Sequence, residues 1–578
     1  MTPSEIPEPT PFQSWTDEWL SSMYDELPQM AVADGIHGSD DRLSGYEGEQ
    51  LERLKECLKS FQTRLRDEVR PTLLDTEALE YQLAETSLAH WLWQQKTFRS
   101  AERDPQYYRS VISSALLAQV LFPWTAAEER LAIVTRQLEQ TGAVLTAAKK
   151  NLTEPVPIFV RYGIEQFQAL SSLIERDLPA AFAGVEDEER QKRFRAAVED
   201  AASAVKDFLA FLETDLKPRA KADFALGREE FTRMLRLGDI LDGDPEYYAA
   251  LAEKEIERAH QRWERLAARI DPNRSSRDLW QAMQRDHPPG GTLPESAQGQ
   301  LSELQNDLAR RGVVPVPERL KIQVLPTPEF FRWTFGSMWT PGPYEKAPLK
   351  SVYYITDVLP EWSEERKEQH LSVYNWGNLW MITIHEVFPG HGVQLAWLPD
   401  VPSALRKTIL TDCTTYIEGW AHYAEELMVE LGFTERDLRI EAGQIAEGLV
   451  RLCRTVAAIR MHLRKMTLDE ATRLFVEKGW MPEASARLEA ERGTFDPEYC
   501  LYTIGKWQLL GLRHLARRQN PDFSLAEFHS KILRGGVMPW RLYQQELLQE
   551  KSARAADLIE VFEREVAPVD PHERPREE

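Results

Sequence analysis

His385-Glu386-Val387-Phe388-Pro389-Gly390-His391 is the stretch on which the reading of this chain turns. It has the residues of an H-E-x-x-H metal helix opened by two positions. In the ordinary motif the histidines stand at i and i+4, about 40° apart around the helix. Both imidazoles then reach one Zn²⁺, and the Glu beside the first acts as base for an activated water. Here the histidines are six residues apart, which on an undistorted helix separates them by about 240°. Such a helix cannot bring both to one ion. Pro389 and Gly390 fall where a correction is needed, because Pro removes a helical donor and Gly tolerates unusual backbone angles. A bulge or helix end at that point would swing His391 back beside His385.

A third ligand is then required. Glu418 lies 27 positions beyond His391, within Tyr416-Ile417-Glu418-Gly419-Trp420-Ala421-His422-Tyr423-Ala424-Glu425-Glu426. This segment reads as a helix whose apolar side carries Ile417, Trp420, Ala421, Ala424 and Leu427. Two histidines from one helix and a carboxylate from the next, with an open fourth position, make the two-His-one-Glu catalytic zinc arrangement. The competing reading makes Glu418 a cap or ion-pair partner and both histidines satisfied polar groups near the surface. His422 stands four residues after Glu418 on the same face. It orients Glu418, meets a substrate, sits satisfied at the surface, or replaces His391 as a ligand.

His-Glu-x-x-Pro-Gly-His followed by Glu-Gly-Trp-Ala-x-Tyr-x-Glu resembles the signature of the bacterial "domain of unknown function 885" family. Further stretches are similar to that family: Arg451-Leu452-Cys453-Arg454 through Met461-His462, Tyr502-Thr503-Ile504-Gly505-Lys506, and upstream Ala225 to Phe231 and Asp286-His287-Pro288. The resemblance implies a mostly α, large helical, thermolysin-like metallopeptidase architecture with a small β-sheet at a deep cleft. It implies that His422, Tyr423, Arg451, Arg454 and His462 bind substrate, the arginines by clamping a carboxylate as their planar fork allows. Tyr502, a loop Tyr near a Gly, is implied as the oxyanion donor. Two departures from the family stand out. Ala458 and Arg460 occupy positions that usually hold Asp and Gly, and Glu498-Tyr499-Cys500-Leu501 replaces a small-residue and Gln pattern. If that segment lines the cleft, Arg460 gives the pocket a preference for acidic groups such as a free C-terminal carboxylate.

The chain has 578 residues, 42% of them hydrophobic and 28% charged, the profile of a soluble globular protein. Seventy basic against 93 acidic residues give a formal charge of −23, which argues against a nucleic-acid or anionic-membrane binder. Met1 to Glu8 has neither a basic start nor an apolar run, and no segment approaches about 18 uninterrupted apolar residues. Four dispersed cysteines, Cys57, Cys413, Cys453 and Cys500, lack C-x-x-C spacing. Reduced, mostly buried thiols in a cytoplasmic protein are expected.

Two regions are expected, an N-terminal helical region over 1–290 and a metal-binding region over 291–578, joined as one unit across a cleft. Residues 1–45 mix Pro, Asp, Gly and Ser and read as surface wrapping. Pro245 to Ile270 is the clearest helix, with Asp244-Pro245 as cap and first turn. Tyr248, Ala252, Ile256, Ala259, Trp263, Leu266 and Ile270 recur along it at helical spacing. Leu79 to Gln95 reads as another helix, and Asp286 to Gly291 as a break. Val313 to Val324 and Lys350 to Thr356 suit short strands. By analogy with thermolysin-like enzymes, Val352–Ile355 is an edge strand that pairs with extended peptide. The polar tail from Pro568 to Glu578 is expected to fray.

These readings converge on a zinc-dependent hydrolase of peptide bonds in short peptides. His385, His391 and Glu418 hold one Zn²⁺ per chain, and Glu386 moves the water proton. The alternative is a metal-dependent, non-proteolytic enzyme of small-molecule or natural-product metabolism, with zinc or another divalent metal such as Fe²⁺, since two-His-one-carboxylate sites also serve non-haem iron oxygenases.

Overall fold

In the computed structural model, residues 8–328, 336–548 and 556–574 are described, and they are mostly helical with one small sheet. The chain forms two compact units. The first comprises residues 1–223 with two later insertions, 341–349 and 402–412. The second comprises 224–340, 350–401 and 413–578.

The first unit is built from amphipathic helices. Its two longest are α1 (Ala127–Asn151) and α2 (Glu188–Phe211), which pack along each other. Leu131, Val134, Leu138 and Leu145 on α1 and Phe194, Val205 and Phe208 on α2 are buried at helical spacing. Residues 1–45 do more than wrap a surface. Thr10 caps a helix over Pro11–Glu26 that buries Trp15, Trp19 and Met23. The helix expected from Leu79 runs over Ala78–Trp93.

The two insertions return to the 30s segment. Asp34 accepts hydrogen bonds from Tyr24 Oη, from Thr408 Oγ1 (both 2.7 Å) and from the Ile409 amide at 3.0 Å. Its carbonyl accepts from the Tyr344 amide at 2.9 Å. Backbone passes so closely here that a Cβ on Gly342 would lie 2.2 Å from the Asp34 carbonyl carbon.

In the second unit α3 (Pro245–Ile270) forms as its sequence dictates. Asp244 accepts from the Glu246 amide at 3.1 Å, Pro245 opens the first turn, and Tyr248, Ala252, Ile256, Trp263 and Leu266 are buried. The sheet has the order β1-β3-β2, with β1 Ile322–Pro326, β2 Gly336–Trp339 and β3 Ser351–Ile355. β1 runs parallel to β3 with Gln323 opposite Val352, and β2 antiparallel to it with Trp339 opposite Val352. β3 is therefore central and wholly buried, not the edge strand expected of Val352–Ile355. Its ladder groups are taken on both sides, so among the described residues the outer strand on that side is β2.

Among the other helices of this unit, those that position the site are α4 (Trp376–Glu386), α5 (His391–Ala396), α6 (Thr414–Glu430), α7 (Leu438–His462), α8 (Glu483–Phe495) and α9 (Leu501–Gln519). α3 packs along α7, and Arg460 on α7 reaches Glu246 at 3.1 Å and Glu253 at 2.6 and 2.9 Å. The division between units consequently falls at Asp223–Phe224 and not at the expected 290. The tail does not fray over its described part. Arg574 is buried and donates to Glu426 at 2.6 Å and to Glu430 at 2.5 Å. Residues 575–578, like Met1 to Pro7, lie outside the described residues. Among the described residues no helix is long and apolar enough to cross a membrane, and the four cysteines form no disulfide.

Candidate metal centre

α4 stops at Glu386 and the chain restarts as α5 at His391. Gly390 makes that fold-back possible. Its amide donates to the Ile384 carbonyl at 3.0 Å, and a Cβ there would lie 1.8 Å from the His385 carbonyl oxygen. Only glycine lets the backbone close this tightly. The turn brings the two imidazoles to a ring separation of 4.8 Å at an interplanar angle of 87°. The helix break expected at Pro389-Gly390 is thus present, and His391, not His422, stands beside His385.

Glu418 reaches the pair from α6. Its Oε2 lies 3.4 Å from His385 Nε2 and 3.3 Å from His391 Nε2. One ligand atom from each of the three residues falls within 4.8 Å of the others, a set that could hold a metal ion. Three contacts fix α6 in place. Trp420 Nε1 donates to the Pro389 carbonyl at 2.9 Å, and Gln394 Nε2 to the Tyr416 carbonyl at 3.0 Å. At the start of α6 the buried Asp239 carboxylate accepts from the Thr415 amide at 2.9 Å and from Thr415 Oγ1 at 2.6 Å.

Behind the three lies Glu425, to which the sequence reading gave no role. It is fully buried and accepts from His385 Nδ1 at 2.8 Å, from His422 Nδ1 at 3.1 Å and from Arg451 Nη2 at 3.1 Å. Glu425 follows Glu418 by seven residues, two helical turns, so both carboxylates share one face. That spacing, an acid amid alanines, was the available signal. With its Nδ1–H given to Glu425, His385 turns Nε2 toward Glu418, the second-sphere arrangement that fixes the tautomer of a ligating histidine.

The donor set fits a divalent cation. Glu418 Oε2 is buried without a hydrogen-bond partner. Burial opposes its charge, but His391 and His385 outweigh that and hold the carboxyl well below the ordinary range. Burial and Arg451 push the His385 imidazole down, yet Glu418 and Glu425 raise it to about 9. Burial likewise works against Glu425, and Arg451 with His422 and His385 keeps it ionised far below the usual value. His422, by contrast, is lowered to about 3, chiefly by burial and then by Lys506.

Glycine contacts set the helix crossings. A Cβ on Gly419 would lie 2.7 Å from Gly505, and one on Gly505 would lie 2.2 Å from the Thr415 carbonyl oxygen. α6 and α9 therefore touch backbone to backbone, which brings Tyr502 near Glu418. Tyr502 belongs to the first turn of α9 and not to a loop. Its ring lies parallel to His385 at 6.4 Å, and Arg492 Nη2 donates to its hydroxyl at 3.4 Å. Gly377 and Gly443 make the same kind of crossing between α4 and α7.

The other expected substrate residues are already engaged. Arg451 spans from Glu425 to Glu447, whose Oε2 it meets at 2.7 Å. Arg454 makes a two-pronged pair with Glu489 at 2.7 and 2.8 Å. The hydroxyl of Tyr423 is shared by His529 and Arg513, both at 2.8 Å. His462 donates from Nε2 to the Gly493 carbonyl at 2.9 Å and packs against Phe224 and Phe231. Tyr423 and His462 are core residues here, because each polar atom has an internal partner. Arg460, expected to charge the pocket, spends its charge on Glu253 and Glu246 of α3.

Residues 28–547 match the family described as "Bacterial protein of unknown function (DUF885)". The chain belongs to this family. Two solved structures share the DUF885 fold seen here. One, described as a putative lipoprotein of unknown function from Shewanella oneidensis, is 22% identical with a TM-score of 0.76, covering 93% of this chain and 100% of its own. The other, described as the putative lipoprotein from Colwellia psychrerythraea, is 16% identical with a TM-score of 0.80, covering 93% and 99%. At such identities the likeness is one of fold. No curated protein matches the chain.

Proposed function

We propose that this DUF885 protein is a zinc-dependent hydrolase that cleaves peptide bonds in short peptides, with a thermolysin-like two-His-one-Glu centre. The observation that carries the reading is the convergence of His385 Nε2 and His391 Nε2, from the two sides of a broken helix, with Glu418 Oε2 from α6. When bound there, Zn²⁺ supplies Lewis acidity and lowers the pKa of water.

The chain's own residues account for the remaining needs of amide hydrolysis. Glu386, half-buried at the end of α4 and next in sequence to His385, takes the proton of the attacking water and returns it to the leaving nitrogen. Tyr502 donates its hydroxyl to the carbonyl oxygen as negative charge develops. Burial, and then Glu418, raise the Tyr502 hydroxyl so that it stays protonated. The outer edge of β2 supplies main-chain hydrogen bonds to an extended peptide. β2 runs beside the metal helices, with Met338 Cε 3.2 Å from where a Cβ on Gly392 would stand and Ile382 Cγ2 3.1 Å from one on Gly336.

The test joins metal analysis to a peptide-library digest of the purified protein. About one equivalent of zinc and cleavage of short peptides are expected, with Glu386→Gln keeping the metal and losing the cleavage. Wild-type turnover by Glu386→Gln would overturn the water-activation role. Tightly held iron with oxygen-dependent chemistry and no peptide cleavage would assign the site to the oxygenase class.

A further inference from the structure

A cavity in the same unit lies one side chain away from the candidate metal centre. It offers about 130 Å³ of room and is walled by Trp280, Met283, Val373, Val450, Trp480 and Met481, with Ala446 and Ser485 also facing it. An apolar cavity of roughly 150 Å³ takes one benzene ring, so the room here is that of a single ring. Neither the three candidate ligands, Glu386 nor Tyr502 lines it.

The aromatic wall is held in place before anything binds. Trp480 has φ 55°, in the left-handed region that bulky residues seldom adopt. The preceding Gly479 passes so close to the Phe475 carbonyl that a Cβ would lie 2.7 Å from its oxygen. One face of the Trp480 ring is stacked on His260 at 4.4 Å and 10°, and Trp280 meets it edge-on at 4.7 Å and 74°. His260 is in turn anchored to the Lys478 carbonyl at 2.9 Å. Unfavourable backbone angles kept by such surroundings are a mark of functional sites.

The cavity's charges are internally balanced. Glu447 and Glu489 line it, and each is paired with an arginine, Arg451 and Arg454 respectively. No uncompensated charge is left among these four to attract an ion. The same pairs tie the cavity to the site. Arg451 holds Glu447 with Nη1 and Glu425, the His385 partner, with Nη2. Arg454 lines the cavity while its guanidinium carbon stands 5.4 Å from the ring centre of Tyr502.

We infer that this cavity is a specificity subsite that takes one uncharged aromatic or bulky apolar group of the substrate, held against Trp480 while the scissile bond lies at the metal centre. The inference rests on the hydrolase reading for the phrase "scissile bond", but its binding step can be measured without any turnover. The occupant is set by the walls. Flat indole surfaces favour an aromatic ring by stacking, and the paired carboxylates give a free cation or anion no advantage.

Binding of N-acetyl-L-phenylalanine amide, N-acetyl-L-lysine amide and N-acetylglycine amide to the zinc-loaded Glu386→Gln protein tests this, by calorimetry or ligand-observed NMR. The phenylalanine compound should bind at least tenfold more tightly than the other two. Ala446→Trp and Ser485→Trp, which fill the cavity from α7 and α8, should each erase that preference while metal content and far-UV circular dichroism stay the same. Two blocking variants guard against one of them misfolding. Equal binding of the three compounds, or a preference that survives both folded variants, would overturn the subsite. A peptide digest separates this from the parent reading. Cleavage that ignores side-chain size counts against the subsite alone, and an aromatic binding preference without cleavage of any peptide counts against the hydrolase alone.

Discussion

His385 donates its Nδ1–H to Glu425 across 2.8 Å, and that single bond decides which nitrogen faces Glu418 and His391. Glu425 is itself fixed by Arg451 and His422, so the imidazole is held by a buried charged cluster and not by packing alone. Glu425→Gln keeps the shape and one acceptor oxygen but removes the charge. Zinc affinity should fall by about tenfold to a hundredfold, as for second-sphere changes at other metal sites, read by competition against a chromophoric chelator. Unchanged affinity would show that His385 needs no partner.

The ligands themselves give the sharper contrast. His385→Ala, His391→Ala and Glu418→Ala should each lose stoichiometric metal by elemental analysis. His422→Ala should retain it, because His422 lies behind Glu425 and outside the converging set. Metal loss in His422→Ala with retention in His391→Ala would reverse that assignment.

Gly390→Ala should be among the most damaging single changes in the chain. Its Cβ would fall 1.8 Å from the His385 carbonyl oxygen, which forces the turn open and carries His391 away from its partners. Loss of metal together with destabilisation of more than about 4 kcal/mol is expected. Denaturant unfolding and metal content measure the two parts separately.

Asp239 supplies a pH dependence whose sign can be worked out. Burial raises its carboxyl above the ordinary value, and its bonds to Thr415 and Cys413 only partly offset this. A raised folded-state value means that the native protein holds this proton more tightly than the unfolded chain does. The associated stability is fully present below the unfolded carboxylate range and is lost as pH rises through the folded value. Asp239→Asn should flatten that part of the stability profile in thermal melts taken across mildly acidic to neutral pH. An identical profile in the variant would remove Asp239 as its source.

Local chemistry was readable in the sequence wherever it was self-contained. Asp244-Pro245 and seven apolar positions at helical spacing sufficed for α3, since cap and periodicity lie in one segment. The convergence of His385, His391 and Glu418 was legible because Pro389-Gly390 sits between two histidines that only a broken helix can unite. β3 was placed at an edge because nothing in Ser351–Ile355 tells that β1 and β2 flank it, the pairing being wholly non-local. The arginines looked free for substrate for the same reason. Glu489 is 35 positions from Arg454, and Glu253 is 207 positions from Arg460. Nothing local marks Gly419 and Gly505 as points of close approach, a need that exists only once α6 and α9 cross.

Residues 402–412 lie between α5 and α6, the helices of His391 and Glu418, yet they belong to the first unit, where Thr408 and Ile409 are bonded to Asp34. The segment 341–349 makes the same excursion earlier. The unit that carries the candidate metal centre is therefore not a cassette. A gene fragment spanning 224–578 would carry both excursions without the helices they pack on, and no single crossover point would transplant the site into another protein. Inheritance of this chemistry has to be of nearly the whole chain, in keeping with a family match that runs from residue 28 to 547.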